Sequence, residues 1–442
     1  MTLVAEPKAA ARTPHPLRAE AVRGFAPFAG AAVLLTVGVM LAGSSARWQG
    51  GWAETASRTH NALLIALPLA AAAGCWQGGR ERRRRTDELW GTVVRAPLVR
   101  LLASALPVAL WAAAGYLVAA GLAMLATWPY SRGDGPRLAL LPGDAVALAA
   151  AALAGHVVGR VAPSRLAAPL LAMAGYVGLG IVATARTGYG VHLNPAFPVL
   201  DSELPVWWQP WAMAVWTGGP ALAAALAYAA RRRVTALLPL AAALAAGTLL
   251  VQSGNALWHP DPLARRQVCD TSTTPAVCVS ARYPGMLPQV RDALSGITGR
   301  LKGVRNLPVR WEDRDGDPHA DKARLPMLTP LGWSVVRGRL TDREQYAWEA
   351  VVALAGHMEC NGPNPRMSRV DDAVEHYLAP SPAEKDFDDA DAHGTAAQRA
   401  ELRDRRSARA HLAAMGDDER REWLSAYFAT RGDCDPEEVP SL

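Results

Sequence analysis

The residues most suited to chemistry in this sequence are its five cysteines, four of which follow residue 251. Disulfides persist in oxidising compartments, so this clustering predicts a domain outside the cytoplasm. Four cysteines permit three connectivities. We expect Cys269 to pair with Cys278 across a short loop, and Cys360 to pair with Cys434 across a long one. The alternative is four free or metal-binding thiols, whereas Cys75 lies in an apolar run and is expected to pack as an apolar residue.

Two histidines stand where they could act chemically. His357 precedes Cys360 by three residues and could share a metal ion with it and with Cys434. Because no second closely spaced pair of ligands accompanies them, a surface histidine beside a disulfide is the favoured interpretation. His156 lies inside an apolar run, one turn from Arg160, and ionisable residues in such runs are candidates for function. Its position near the end of the run favours a solvated or hydrogen-bonded helix residue.

Several catalytic and nucleotide-binding motifs are absent from the sequence. It contains no Gly-x-x-x-x-Gly-Lys-Ser/Thr loop, so we expect no ATP site of that kind in this chain. It contains neither His-Glu-x-x-His nor Gly-x-Ser-x-Gly, the signatures of zinc peptidases and serine hydrolases. The sequence therefore predicts a protein that is not an enzyme and binds no cofactor itself. Any energy from ATP must come from a separate subunit.

Composition divides the chain near residue 251. Before that point, runs of Ala, Leu, Val and Gly recur, each near the roughly 20 residues that cross a bilayer. The basic residues stand in short blocks between these runs rather than on one soluble face, which argues against nucleic-acid binding. The predicted spans are residues 24–44, 61–79, 101–127, 144–161, 167–186, 210–230 and 235–251.

The positions of the arginines predict the orientation of the spans, since cytoplasmic loops carry the excess of Lys and Arg. The densest block, residues 80–85, is then cytoplasmic, and alternation places residues 231–233 and the N-terminus on the same side. An odd number of spans puts the C-terminus outside. We therefore expect a multi-pass plasma-membrane protein in three parts: a cytoplasmic N-terminus and elbow helix (1–23), a transmembrane domain (24–251) and an extracytoplasmic, disulfide-containing domain (252–442).

The part after residue 251 is long enough to form a core of its own. Short strands are predicted at 275–279 and 307–311, and helices at 287–301, 343–360, 369–378, 398–415 and 417–430. Residues 380–394, rich in Asp, Pro and Ala, predict an acidic linker. The expected fold class is an all-α polytopic membrane domain of about seven transmembrane helices plus a mostly α, minor β extracytoplasmic C-terminal domain.

A cytoplasmic segment, residues 79–100, predicts a short amphipathic helix. Leu89, Trp90, Val93 and Val94 fall on one helical face among charged residues, an arrangement that suits a helix lying in the groove of a partner. The alternative is a basic cytoplasmic loop that is helical without a partner.

A second amphipathic segment precedes the first span, at residues 16–28. Leu17, Ala21 and Phe25 recur every four residues and would face lipid or other helices, while Glu20 would face water. This pattern predicts an interfacial elbow helix, and the alternative is a polar leader without fixed structure.

The connection at residues 194–210 is expected outside, as a re-entrant segment or a surface cap, and the sequence assigns it no ligand. Trp207, Trp208, Trp211 and Trp216 predict an aromatic belt at the membrane interface rather than a ligand cage.

The layout resembles that of a known family. An elbow with Leu17-Arg18-Ala19-Glu20, a basic run followed by Asp87-Glu88-Leu89, and a core of about six spans are similar to permease subunits of ATP-binding-cassette (ABC) transporters of the type-2 exporter class. In particular, the chain resembles actinobacterial membrane subunits with a further span and an extracytoplasmic tail, to which Val277-Cys278-Val279 and residues 420–434 are similar. The usual subunit has six spans, so the seventh span and the large tail depart from the pattern.

The resemblance implies a function and partners. In that family, the loop corresponding to residues 81–95 is the coupling helix, which docks on the ATPase subunit. The implied contact residues are Glu81, Asp87, Glu88, Leu89, Trp90 and Val94. It also implies a homodimer or heterodimer with another permease, contact with membrane lipid, ATP bound only by the partner, and movement of a substrate across or out of the membrane. The alternatives are a membrane sensor whose tail binds an extracellular ligand and, third, a membrane-bound enzyme with its site in the tail.

Overall fold

The computed structural model describes residues 16–84, 96–131, 133, 135–185, 188–314, 321–328, 335–357, 360 and 364–442. The chain forms two compact units. The first comprises Met1–Ser44, Thr55–Leu125 and Pro136–His259, and the second comprises Ser45–Glu54, Ala126–Gly135 and Pro260–Leu442. The second unit is thus assembled from the C-terminal part of the chain and from two short segments that lie at the ends of apolar helices.

The described residues contain seven helices that are long and apolar enough to cross a membrane, as the sequence predicts. They are Ala26–Gly43, Trp52–Gly78, Pro97–Thr127, Leu141–Val161, Ala167–Thr184, Gln209–Ala229 and Arg233–Leu257. The second begins at Trp52 rather than at residue 61, because a polar helical segment, Trp52–Asn61, precedes its apolar part. Several polar side chains of that segment are buried, which local hydropathy does not reveal.

The helices that belong wholly or mainly to the first unit follow one another with short connections. They are α1 (Pro16–Arg23), α2 (Ala26–Gly43), α3 (Trp52–Asn61), α4 (Leu63–Gly78), α5 (Arg80–Arg83), α6 (Pro97–Thr127), α7 (Leu141–Val161), α8 (Ala167–Thr184), α9 (Gly190–Leu193), α10 (Gln209–Ala229) and α11 (Leu237–Ser253). A two-stranded sheet pairs β1 (Glu203–Pro205) with β2 (Trp258–Pro260). Proline stands in the first turn of α7 and α10, where its missing N–H would have had no intrahelical partner.

Four glycines bring α4 and α7 close together. Gly74 and Gly78 on α4, and Gly155 and Gly159 on α7, each face a backbone carbonyl group of the opposite helix. A Cβ atom at any of the four positions would clash with that oxygen. Small residues four apart allow apolar helices to approach in this way. The two helices therefore pack closely along their length, and Cys75 on α4 is buried and not in a disulfide, as expected for a packing residue.

The second unit combines helices with small sheets, in agreement with the expectation of a mostly α domain with minor β structure. Its helices are α12 (Pro262–Arg265), α13 (Leu287–Arg300), α14 (Arg343–Ala355), α15 (Pro365–Leu378), α16 (Glu384–Ala392), α17 (Ala396–Ala414) and α18 (Asp417–Ala429). Its strands are β3 (Gln267–Asp270), β4 (Ala276–Ser280), β5 (Arg310–Glu312), β6 (Lys322–Arg324), β7 (Val335–Val336) and β8 (Arg339–Leu340). The main sheet has the order β3-β4-β5-β6, antiparallel between β3 and β4 and parallel in the other two pairs.

An apolar core holds the second unit together. Val290, Leu294 and Ile297 recur along one face of α13 and are fully or almost fully buried, as is Trp311 of β5. Burying side chains of this size stabilises by about 1.5–3 kcal/mol each, because apolar surface leaves water. The core also includes Tyr427 of the last helix, so the C-terminal segment contributes to it.

The cysteines of the second unit lie in two pairs at disulfide distance. The sulfur atoms of Cys269 and Cys278 are 2.07 Å apart, and these residues face each other across β3 and β4. The sulfur atoms of Cys360 and Cys434 are 2.06 Å apart. Both pairs are the ones that the sequence favours.

The predicted acidic linker at residues 380–394 is wrong, since α16 occupies most of it. Its Asp388 is buried and accepts a hydrogen bond from Arg409 Nη1 at 3.1 Å. The arginine lies 21 residues further along the chain. Local composition therefore indicated an exposed segment, although a cation from the next helix balances the acidic charge.

Candidate functional site

Most of the predicted ATPase contact lies outside the described residues. The residues concerned are Asp87, Glu88, Leu89, Trp90 and Val94, which fall within 85–95. Glu81 is described and lies in α5, shortly before that segment.

Glu81 joins α5 to α7. Arg160 Nη2 donates to Glu81 Oε1 at 2.9 Å, and Arg160 Nη1 donates to Oε2 of the same carboxylate. The two side chains are only 18% and 15% exposed, so salt screens the pair less than it would a surface pair. A two-pronged contact between guanidinium and carboxylate fixes orientation as well as distance.

Two further polar side chains extend this contact into the first unit. Arg160 Nη2 lies 3.5 Å from Ser104 Oγ of α6, which in turn lies 3.1 Å from His156 Nε2. His156 is 1% exposed, so it is hydrogen-bonded and not solvated. The polar chain from Glu81 to His156 connects α5, α6 and α7.

The elbow helix α1 is attached to the same region. Glu20 Oε1 accepts hydrogen bonds from Arg80 Nη1, at 2.7 Å, and from Gln77 Nε2. Trp111 Nε1 donates to the Ala21 carbonyl oxygen at 2.8 Å. The predicted helix is present, but the prediction that Glu20 faces water is wrong, because its carboxylate meets a partner 60 residues later. We call the contacts of Glu20, Arg80, Glu81 and Arg160 the anchor cluster.

A second buried network lies at the other end of α7. Asp144 Oδ1 is 2.9 Å from His60 Nδ1, and Asp144 Oδ2 accepts a hydrogen bond from Tyr116 OH at 2.7 Å. Asp144 is 4% exposed and His60 is 8% exposed. Sequence patterns did not predict this network, because His60 and Asp144 stand at the edges of predicted spans. Ionisable residues beside long apolar runs were the available signal.

The loop at residues 194–210 forms hydrogen bonds with α3, and its assignment as a re-entrant segment or a surface cap stays a prediction. Ser57 Oγ donates to the Val199 carbonyl oxygen at 2.6 Å, and the Val199 N–H donates to Asn61 Oδ1 at 3.2 Å. Trp216 Nε1 donates to the Leu193 carbonyl oxygen at 2.9 Å. Of the four tryptophans predicted to form an aromatic belt, Trp207 and Trp211 are exposed.

In the second unit, charged side chains from three helices surround a pocket of about 190 Å³. Arg409 of α17 donates to both carboxylate oxygens of Asp372 at 2.7 Å and to Glu384 Oε1 at 3.1 Å. Burial raises the pKa of nearby Glu375 to about 7, against the hydrogen bond from Trp348 and with the help of neighbouring carboxylates. This carboxyl group therefore titrates near neutral pH.

His357 is held by oxygen atoms on both sides of its ring. Nδ1 lies 2.8 Å from Asp371 Oδ1, and Nε2 lies 3.3 Å from the Thr430 carbonyl oxygen. Burial alone would lower the pKa of His357, but the hydrogen bond and charge of Asp371, together with the Thr430 carbonyl group, raise it above its usual value. Both ring nitrogens are thus engaged, and Cys360 and Cys434 lie at disulfide distance from each other rather than around a metal.

The anchor cluster is the arrangement most closely tied to a prediction from sequence, since it fixes α1 and α5 next to the segment expected to meet a partner. It links α1, α4, α5 and α7 through hydrogen bonds and ion pairs. Comparison with protein-family models, with curated proteins and with solved structures finds no match to this chain.

Proposed function

We propose that this chain is the permease subunit of an ABC exporter, which moves a substrate across or out of the membrane with energy from a separate ATPase. The observation that carries the proposal is the anchor cluster. It joins the elbow helix and the start of the predicted coupling segment to the closely packed helices α4 and α7. The absence of a P-loop from the sequence fits a chain that depends on another subunit for ATP.

The mechanism follows from these contacts. Closure of the ATPase on ATP pushes the segment at residues 85–95. Arg160 receives that displacement through Glu81, and the close packing of α4 on α7 prevents the two helices from sliding separately. The pair then rocks as one body, and a cavity between two permease subunits opens to the outside. If the connection at Glu81 were flexible, a displacement of residues 85–95 would not be transmitted to the spans.

The proposal is tested by co-purification of the ATPase subunit encoded beside this gene. Trp90→Ala is expected to reduce its recovery sharply, because truncation of a buried aromatic anchor costs about 2 kcal/mol, on the order of 30-fold in affinity. Trp207→Ala is the matched control, since it removes the same side chain from an exposed position in the loop at residues 194–210. Equal recovery with both variants would contradict the proposal.

A second variant separates docking from coupling. Arg160→Ala removes one partner of Glu81 and leaves the amino-acid sequence of residues 85–95 unchanged. We expect the ATPase to bind this variant within about threefold of the wild type, since Arg160 is not among the predicted contact residues and the energy of such an interface is concentrated in a few anchors. Stimulation of ATPase turnover by the permease should nevertheless fall. Loss of both properties together would mean that the anchor cluster maintains the fold and does not transmit motion.

A membrane sensor is the second candidate, and the charged pocket of the second unit favours it. The same co-purification distinguishes the two functions. A sensor has no need of an ATPase, so an ATPase subunit would then be absent from every preparation, including the wild type.

A further inference from the structure

A polar cavity of about 220 Å³ lies within the first unit, at the end of α7 where Asp144 is found. Its floor includes His60, Asp144 and Gln209, which are buried, and Asn255 on its border is exposed. The helices that contribute to it meet at the end of the bundle that the arginine distribution places outside. The predicted orientation thus places the cavity at the outer end of the bundle.

The polar groups of the cavity floor differ in whether they have hydrogen-bond partners. Both carboxylate oxygens of Asp144 already have partners, in His60 and Tyr116. Gln209, by contrast, is 5% exposed, and its Oε1 has no hydrogen-bond donor among the described residues. A buried acceptor without a donor costs free energy, so the site is built for a group that brings an N–H or O–H.

The charge of the cavity lining indicates which class of ligand the cavity can bind. Glu203 of β1 lines the same cavity, and no described lysine or arginine lies within ion-pair distance of its carboxylate. Met213 and Leu257 add apolar surface beside it. A carboxylate and a free amide oxygen recognise a cationic donor, and the apolar wall suits a short hydrocarbon chain.

We infer that this cavity is a binding site for a small organic ammonium ion, with its nitrogen directed to Glu203 and Gln209 and its hydrocarbon part against Met213 and Leu257. The cavity is smaller than the roughly 300–1,000 Å³ of pockets for drug-sized ligands, so the ligand is a small amine. The inference concerns the first unit alone and does not depend on the ATPase.

The test measures binding to the full-length chain in lipid nanodiscs by calorimetry at neutral pH. The probes are n-butylamine, its neutral analogue n-butanol and potassium chloride. We expect n-butylamine to bind at least about tenfold more tightly than n-butanol, which corresponds to about 1.4 kcal/mol. Glu203→Gln should weaken the binding of n-butylamine by a similar factor and leave the binding of n-butanol unchanged.

Two further variants make the result specific. Gln209→Leu removes the free acceptor while keeping a side chain of similar volume, and it should also weaken the binding of n-butylamine. Asp201→Asn removes the same charge as Glu203→Gln, two residues away and outside the lining, and should have no effect. Equal binding of n-butylamine and n-butanol, equal effects of the Asp201 and Glu203 variants, or full competition by potassium at matched ionic strength would overturn the assignment.

Discussion

Replacing Glu375 with glutamine changes the pH dependence of the second unit in a calculable way. Glu375 accepts a hydrogen bond from Trp348 Nε1 at 2.8 Å and faces Asp371 and Asp372 of its own helix and Arg409 of α17. Burial is the main reason that its pKa rises from 4.5 to about 7. Glutamine keeps an oxygen for the Trp348 bond and removes the titration.

The sign follows from proton binding. Between pH 4.5 and about 7 the folded state keeps the Glu375 proton, while the unfolded state has released it. Stability therefore falls as pH rises through this window. At 1.36 kcal/mol per pKa unit, the loss amounts to about 3 kcal/mol by pH 8. The second unit of Glu375→Gln should be as stable as that of the wild type near pH 4.5 and more stable by about that amount at pH 8.

The assay is hydrogen exchange of the amides of α15 in the full-length protein in nanodiscs, at pH 5, 6, 7 and 8. Comparing proteins at one pH cancels the intrinsic pH dependence of exchange. His357 also loses its stabilising effect as pH rises from 6.5 through its raised folded pKa, but it is common to both proteins. Glu401→Gln, at the ion pair with Arg369 on the surface, is the control and should shift stability by less than about 1 kcal/mol at every pH.

A constant difference between Glu375→Gln and the wild type across this range would refute the reasoning. So would a variant that is less stable than the wild type at pH 8. Either result would mean that Glu375 is ionised in the folded protein and balanced by Arg409.

Three other predictions concern the second unit and its orientation. The carboxylate of Glu54 lies 3.1 Å from the buried guanidinium of Arg282. Glu54→Ala removes that carboxylate and should destabilise the unit by about 3–5 kcal/mol, as measured by chemical denaturation. A loss below about 1 kcal/mol would contradict the buried pair. Replacing Cys360 and Cys434 with serine should cost roughly 3 to 5 kcal/mol, because their bond closes a loop with a separation of 74 residues, and unchanged stability would argue against that bond. A reporter active only in the cytoplasm should be silent when fused after Leu442, and activity would mean that the number of spans is even.

The sequence was sufficient to predict the seven long apolar helices, because crossing a membrane requires a certain length and an apolar composition in each helix. It failed where a polar residue has a distant partner. His60 and Asp144 were set at the edges of spans, although they meet each other across 84 residues. Glu20 was expected in water for the same reason, since neither hydropathy nor helical periodicity contains information on pairing between separate helices.

The second unit illustrates the same limit. Its long helices followed from periodicity, and both cysteine pairs from spacing and compartment. Helix α16 did not, because its charges are stabilised by arginines of α17 that a local window does not include. The glycines of α4 and α7 form spaced pairs that a search for small residues four apart would have found.

Photo-crosslinking from the predicted coupling segment tests the central claim most directly. A benzophenone amino acid is placed at position 90 or, as the control, at position 207, and the protein is irradiated in native membranes. The proposal predicts that position 90 captures a chain with a P-loop and ATPase activity, and that position 207 does not. Absence of an ATPase from the products at position 90, or equal capture from both positions, would contradict the assignment of this chain as a permease subunit.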